Sequence, residues 1–258
     1  MKDIINGYVS VETHNAITTI EFFHPQSNSL PRRILESLAN EIHAAGNDKN
    51  TTVMVLCSGG EKAFCAGASF DELTQIEDEK RGFEFFSGFA NVINAMRKCP
   101  KLIIGRVHGK CVGGGVGLAA AVDYAIATEG ADIKLSELAV GIGPFVVGPV
   151  IEKKIGASAF SQLAIDAGMW RNSDWARRKN LYAEVHPTKE GMDESISRLS
   201  NQLTHSSTEA MAELKKVFWK GTEDWDNLLY QRAEISGRLV LSKFTKEAIQ
   251  KFKSKQPS

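Results

Sequence analysis

The stretch CVGGGVGLAAA, residues 111–121, sets three consecutive glycines and a fourth, Gly117, at the head of a small apolar run that reads as a helix. Glycine loses more conformational freedom on folding than any other residue and is a poor helix former. A chain that concentrates it there needs close backbone approach, bare N–H groups, or both. The apolar segment KLIIGRV, 101–107, reads as a strand and leads directly into the run. The glycines therefore stand at a strand-to-helix turn.

The flanking pattern repeats that arrangement. AITTIEFF, 16–23, alternates as a strand does, and HPQSNS, 24–29, is turn chemistry. Pro31 suits the first position of a helix over 32–45. TVMVLCS, 52–58, is an apolar strand ended by Gly59-Gly60, and a loop of small residues, KAFCAGASFD, covers 62–71. The spacing predicts a helix over 82–98, stopped by Pro100, and short strands over 124–128 and 133–135. Strands alternating with helices imply an α/β layered core. From Val146 onward the pattern is almost wholly helical, with helices expected over 195–203, 208–218, 226–240 and 243–253. We divide the chain into a core over 1–195 and a helical C-terminal region over 196–258.

A chain of 258 residues can bury a core without disulfides or metals. Its 31 basic and 31 acidic side chains balance, so a nucleic acid is not the expected partner. MKDIINGYVSVETHN at the N-terminus lacks the apolar run of a signal peptide, and no stretch is apolar for long enough to span a membrane. Cys57, Cys65, Cys99 and Cys111 show no C-x-x-C spacing. They read as reduced, buried thiols of a cytoplasmic protein. The histidines form no H-E-x-x-H or close pair, so no metal site is expected.

Gly115-Val-Gly117-Leu-Ala-Ala120 formally fits G-x-G-x-x-[GA]. A dinucleotide fingerprint belongs in the first βα turn, whereas two βα units precede this one. Gly109-Lys110 is followed by Cys111, which breaks a P-loop. Steric packing of a helix against a strand would also explain the glycines. A second small-residue turn, FCAGAS over 64–69, also follows a strand and leads toward helical residues. Two such turns can aim free N–H groups at one oxygen, which makes an oxyanion hole.

Four motifs in this order resemble the crotonase, or enoyl-CoA hydratase/isomerase, superfamily. They are HPQSNSL (24–30), KAFCAGAS (62–69), GKCVGGG (109–115) and LSELAVGIGP (135–144). The resemblance spans nearly the whole chain. It implies the ClpP/crotonase-like α/β fold of repeated ββα units with C-terminal helices packing on neighbours, in a homotrimer or dimer of trimers. The substrate implied is an acyl-CoA thioester, with coenzyme A as part of the substrate and no other cofactor.

Carried over by motif, the oxyanion donors are the backbone N–H groups of Ala68 and Gly114, and the acid/base is Glu137. CoA is expected along Asn28, Ser29, Leu30, Lys62, Phe64 and Ala66, with Phe252 and Lys255 of the tail added from a neighbour. Phe86 and Phe89, on the stripe they form with Phe85, and Gly117 are expected at the acyl pocket. Family hydratases commonly place a second glutamate where this chain has Gly117. Ser69 stands where an acidic residue is common, and Phe145-Val146-Val147-Gly148 replaces the usual G-G-x-x-R-L.

The resemblance to a branched-chain subgroup, which includes methylglutaconyl-CoA hydratases, favours hydration of a 2-enoyl-CoA. The alternative is a Δ3,Δ2-enoyl-CoA isomerase using Glu137 as a single proton shuttle. A non-catalytic binding protein of this fold is the alternative of another class. A substrate carrying its own carboxylate would need a cation, for which Lys62, Arg81 and Lys110 are candidates by position.

Overall fold

The computed structural model describes residues 2–253. Strands β1 (Tyr8–His14) and β2 (Ile17–Phe23) form an antiparallel hairpin. Its two-residue turn, Asn15-Ala16, has positive φ at both positions, 48° and 63°, as hairpin twist demands. Ala16 thus belongs to the turn and not to the strand. Then come β3 (Ser29–Leu30), α1 (Arg32–Asn47), β4 (Val53–Ser58), β5 (Ala63–Cys65) and β6 (Gly67–Ala68). A short α2 (Phe70–Leu73) precedes the long α3 (Glu79–Lys98). β7 (Leu102–Val107), β8 (Lys110–Val112), α4 (Gly114–Ala121), β9 (Tyr124–Thr128) and β10 (Ile133–Lys134) follow, then a single 3₁₀ turn over Leu138–Val140. The rest is α5 (Gly148–Ile165), α6 (Ser173–Arg178), β11 (Glu184–His186), α7 (Lys189–Thr204), α8 (Thr208–Phe218), α9 (Trp225–Leu239) and α10 (Lys243–Lys253).

The main sheet has the order β1-β2-β4-β7-β9-β11 and is parallel except for β1. All six residues of β4 are buried, whereas β2 alternates. A parallel strand covered on both faces reads as a continuous apolar run for this reason. On one face Met54, Leu56 and Ile103 join the core built with α1 and α3. On the other, Val53, Val55, Ile104 and Ile126 pack against Met192 and Ile196 of α7. The division at 195/196 therefore cuts through a helix that covers the sheet. β11 lies in the stretch expected to be almost wholly helical. Its three residues carry no strand pattern of their own, and pairing with β9 creates it.

Three contacts fix α9 and α8. α9 runs antiparallel to α3, with Arg97 paired to Asp226 at 3.0 Å at one end. At the other, a Cβ on Gly82 would stand 2.7 Å from the Gly237 α-carbon. α8 is anchored by a buried ion pair, Lys215 Nζ to Asp123 Oδ2 at 2.9 Å. Lys215 also donates to the Lys101 carbonyl, and Asp123 accepts from the Ile103 N–H and the Trp219 indole. The pair is thus held in a complete hydrogen-bond set, the condition under which a buried pair is tolerated.

The parallel β10-β8-β5 sheet and the β3-β6 pair stand beside the main sheet. Their exits carry the glycine run, the second small-residue turn and Glu137. The core helices thus serve as walls, and these small strands aim the loops.

Candidate active site

Four glycines of the 111–121 stretch each admit a different neighbour. A Cβ on Gly113 would stand 2.8 Å from the Glu137 Oε1. On Gly114 it would meet the Phe89 ring at 2.2 Å, on Gly115 the Cys65 carbonyl oxygen at 2.2 Å, and on Gly117 the Val147 Cγ1 at 2.5 Å. Gly113 is also at φ 52°, ψ −116°, which side chains rarely adopt. The run packs a carboxyl group, an aromatic wall and a second backbone around the start of α4.

That second backbone is the 64–69 turn. Gly67 has φ 88°, and a Cβ on it would stand 2.8 Å from the Val112 carbonyl oxygen and 3.4 Å from the Gly114 nitrogen. The two small-residue turns therefore lie against each other. β6 is held from its other side by β3, through Ser29 opposite Gly67 and Leu30 opposite Ala68. Asn28 fixes β3: at φ 57° its Oδ1 accepts from the His24 N–H, and its Nδ2 donates to the Gly59 and Ala63 carbonyls. Ser69 caps α2 by accepting from the Glu72 N–H. The first N–H groups of α4 have no acceptor inside their own helix and sit at the positive end of its dipole.

Glu137 enters from β10 and sits at the head of the 3₁₀ turn. Gly141, at φ 82°, ends that turn, and Phe244 and Thr245 of α10 fill the space over it. Although the residue is partly exposed, its Oε2 is buried and has no hydrogen-bond partner. Burial pushes the carboxyl up to about 7, against a smaller opposing effect from its own backbone. A carboxyl that titrates near neutrality can accept and return a proton at working pH.

These elements line one cleft. Ala66, Gly67, Ala68, Gly113, Gly114, Glu137, Phe86 and Phe89 all line it. Gly117 does not. Val147 does, and it fills the space beside Gly117. Leu30 and Phe64 are wholly buried. Phe64 packs edge-on against Phe22, and both shape the turn. Asn28 and Ser29 are nearly as deeply buried and act through that same turn. Lys62 is exposed at the entrance to β5. The side chain of Phe252, and Lys255, lie outside the described residues.

None of the proposed cations lines the cleft. Arg81 pairs with Glu77 and Asp78, and Lys110 stands 4.9 Å over the Trp170 ring. Among the described lining residues Glu137 is the one titratable side chain, and Ser136 and Ser236 supply the other polar side chains. Sequence reasoning missed Val147 and Ser236. Val147 lies within the departing FVVG segment, which was the available signal. Ser236 sits among the small residues of α9 and gave none.

The family model for enoyl-CoA hydratase/isomerase matches residues 12–258. The chain belongs to that family. A probable enoyl-CoA hydratase of Bacillus subtilis is 24% identical over 250 residues, 96% of each chain. A carnitinyl-CoA dehydratase of Salmonella enteritidis is 28% identical over 202 residues, 78% of this chain and 76% of the relative. The crystal structure of an enoyl-CoA hydratase from Bacillus halodurans superposes with a TM-score of 0.87 at 22% identity, covering 95% of this chain and 99% of that one. The crotonase fold is thereby shown, with its helical C-terminal part. As a family member the chain is an acyl-CoA-processing enzyme of the hydratase/isomerase type. No helix among the described residues is long and apolar enough to cross a membrane.

Proposed function

We propose that this enzyme moves a proton along the acyl chain of an enoyl-CoA, converting a 3-enoyl-CoA to its 2-enoyl isomer. The observation that carries this reading is the single carboxyl in an apolar cleft: Glu137 titrates near neutrality, and Val147 occupies the space beside Gly117. The thioester oxygen would accept from the N–H groups of Ala68 and Gly114. The Glu137 carboxylate takes a proton from C2, the electron pair spreads into a dienolate held by those donors, and the resulting carboxylic acid returns the proton to C4. One group does both transfers, so no second acid is required. Each donor is worth roughly 10²–10³ in rate. CoA enters as part of the substrate, along Ala66 and the turn fixed by Asn28, and no further cofactor is needed.

Hydration of a 2-enoyl-CoA is the second reading. The relatives' names favour it, and Ser136 beside Glu137 offers a hydroxyl that could hold a water. Glu137 would then protonate C2 as water adds at C3. A purely binding role leaves a buried, unpartnered carboxyl without a reason. The absence of a cation from the described lining argues for an uncharged acyl group over a carboxylated one.

Assembly as a trimer or dimer of trimers is part of the proposal. Exposed Leu214, Val217 and Phe218 on α8, Ile165 at the end of α5 and Phe244 on α10 support it. So is a cytoplasmic setting, where the four free, buried cysteines stay reduced. Incubating purified enzyme with a 3-enoyl-CoA tests the reaction. Appearance of the conjugated 2-enoyl thioester supports it. Hydration of a 2-enoyl-CoA with no isomerisation would replace it by the second reading.

A further inference from the structure

Phe70, Leu73, Phe86 and Val147 are among the apolar lining of the cleft, yet a hydroxyl-bearing residue, Ser236, is set among them. Ser236 belongs to α9 and is 1% exposed. Its place follows from the glycine contact between α3 and α9. Gly237 presses on the Gly82 and Phe83 backbone, which brings the neighbouring Ser236 to the cleft beside Phe86. A spacer role would be met equally well by alanine, which is a better helix former than serine. A buried hydroxyl facing an apolar ligand without a partner costs free energy.

α3 serves as a ruler. Phe89 abuts Gly114 at the thioester end, whereas Gly82 marks the contact with α9. At 1.5 Å per residue, the stretch of α3 facing Ser236 lies ~5–10 Å along the cleft from Gly114. An extended chain advances roughly 1.2 Å per bond, so this distance is about four to eight bonds.

Resting on the acyl-CoA reading above, the geometry points to Ser236 as a specificity-determining residue that selects uncharged acyl chains bearing a hydroxyl or carbonyl oxygen about four to eight bonds beyond the thioester carbonyl. A carboxylate there would find no cation among the described lining residues. A plain hydrocarbon would leave the Ser236 hydroxyl without a partner. A neutral oxygen satisfies both conditions.

Binding of unreactive saturated thioesters tests this separately from catalysis. Octanoyl-CoA is compared by titration calorimetry with its 5-, 6-, 7- and 8-hydroxy derivatives on the wild-type enzyme and on Ser236→Ala. At least one derivative should bind about three- to tenfold more tightly than octanoyl-CoA, as one net hydrogen bond allows. In Ser236→Ala the ratio should fall to one or below. If no derivative outbinds octanoyl-CoA, or if the advantage survives in Ser236→Ala, the inference is overturned while the acyl-CoA reading stands. Failure of every thioester to bind would overturn the acyl-CoA reading itself, and this inference with it.

Discussion

The carboxyl of Glu137 rests on the α-carbon of Gly113: any side chain at 113 would stand 2.8 Å from Oε1. The same glycine turns the chain at φ 52° into α4. One residue therefore sets both the position of the acid and the start of the helix that presents the Gly114 N–H. Gly113→Ala should push Glu137 aside and lower kcat/KM by about 10²-fold, the scale of a misplacement near 1 Å. Circular dichroism should show the fold retained. An active Gly113→Ala enzyme would mean that Glu137 is not held by this contact.

Glu137→Gln removes the proton carrier and keeps its shape. Turnover should fall by roughly 10²–10⁴, while binding of a saturated acyl-CoA stays nearly unchanged. Stopped turnover together with lost binding would assign Glu137 a structural role instead.

The raised carboxyl pKa also fixes two pH responses. Isomerisation starts from the carboxylate, so kcat/KM should rise with pH, pass half-maximum near 7 and level off above. Stability runs the other way. The folded state holds this proton up to about 7, against 4.5 for the free side chain. Ionisation therefore costs nothing below about pH 4.5 and costs roughly 3–4 kcal/mol above pH 7. Glu137→Gln should consequently raise the Tm at pH 8, with the gain shrinking toward pH 4.5. A gain that does not change with pH would contradict the burial account.

A second glutamate at 117 cannot simply be added. The Val147 side chain fills the space a Cβ would take, at 2.5 Å. Gly117→Glu alone should destabilise the protein by more than the ~1–3 kcal/mol typical of overpacking, because the added group is also charged. Gly117→Glu combined with Val147→Gly opens that space, and crotonyl-CoA hydration should increase over wild type. Comparing the two variants by thermal melts and by hydration rate separates steric from chemical causes.

Far from the cleft, Asp123 and Lys215 offer a stability test without catalytic involvement. Asp123→Ala leaves the Lys215 ammonium buried without its charge partner and should cost about 3–5 kcal/mol. Replacing both by apolar residues should recover much of that loss. Urea unfolding of the single and double variants measures it.

The sequence carried the architecture where local chemistry set it. The apolar run of β4, the turn glycines and the periodicity of α8 each state their own structure, and α8 spans the expected residues Thr208–Phe218. The two small-residue turns were legible in their glycines, and Glu137 only through the family resemblance. β11 was hidden, since three residues without alternation become a strand only through a partner. The exchange of space between Gly117 and Val147 was hidden too, because it joins two segments distant along the chain. Ser236 reaches the cleft through a helix crossing, which leaves no pattern beyond small residues on α9. The Asp123–Lys215 pair joins charges that look like surface residues until the fold buries them.

The most direct test of Glu137 as sole proton carrier is proton NMR of a 3-enoyl-CoA incubated in D₂O with wild-type enzyme and with Glu137→Gln. The wild type should form the 2-enoyl isomer without a 3-hydroxyacyl product, with part of the original C2 proton delivered to C4, and Glu137→Gln should form almost none. A 3-hydroxyacyl product without isomerisation, or equal rates for the two proteins, would contradict the single-carboxylate account.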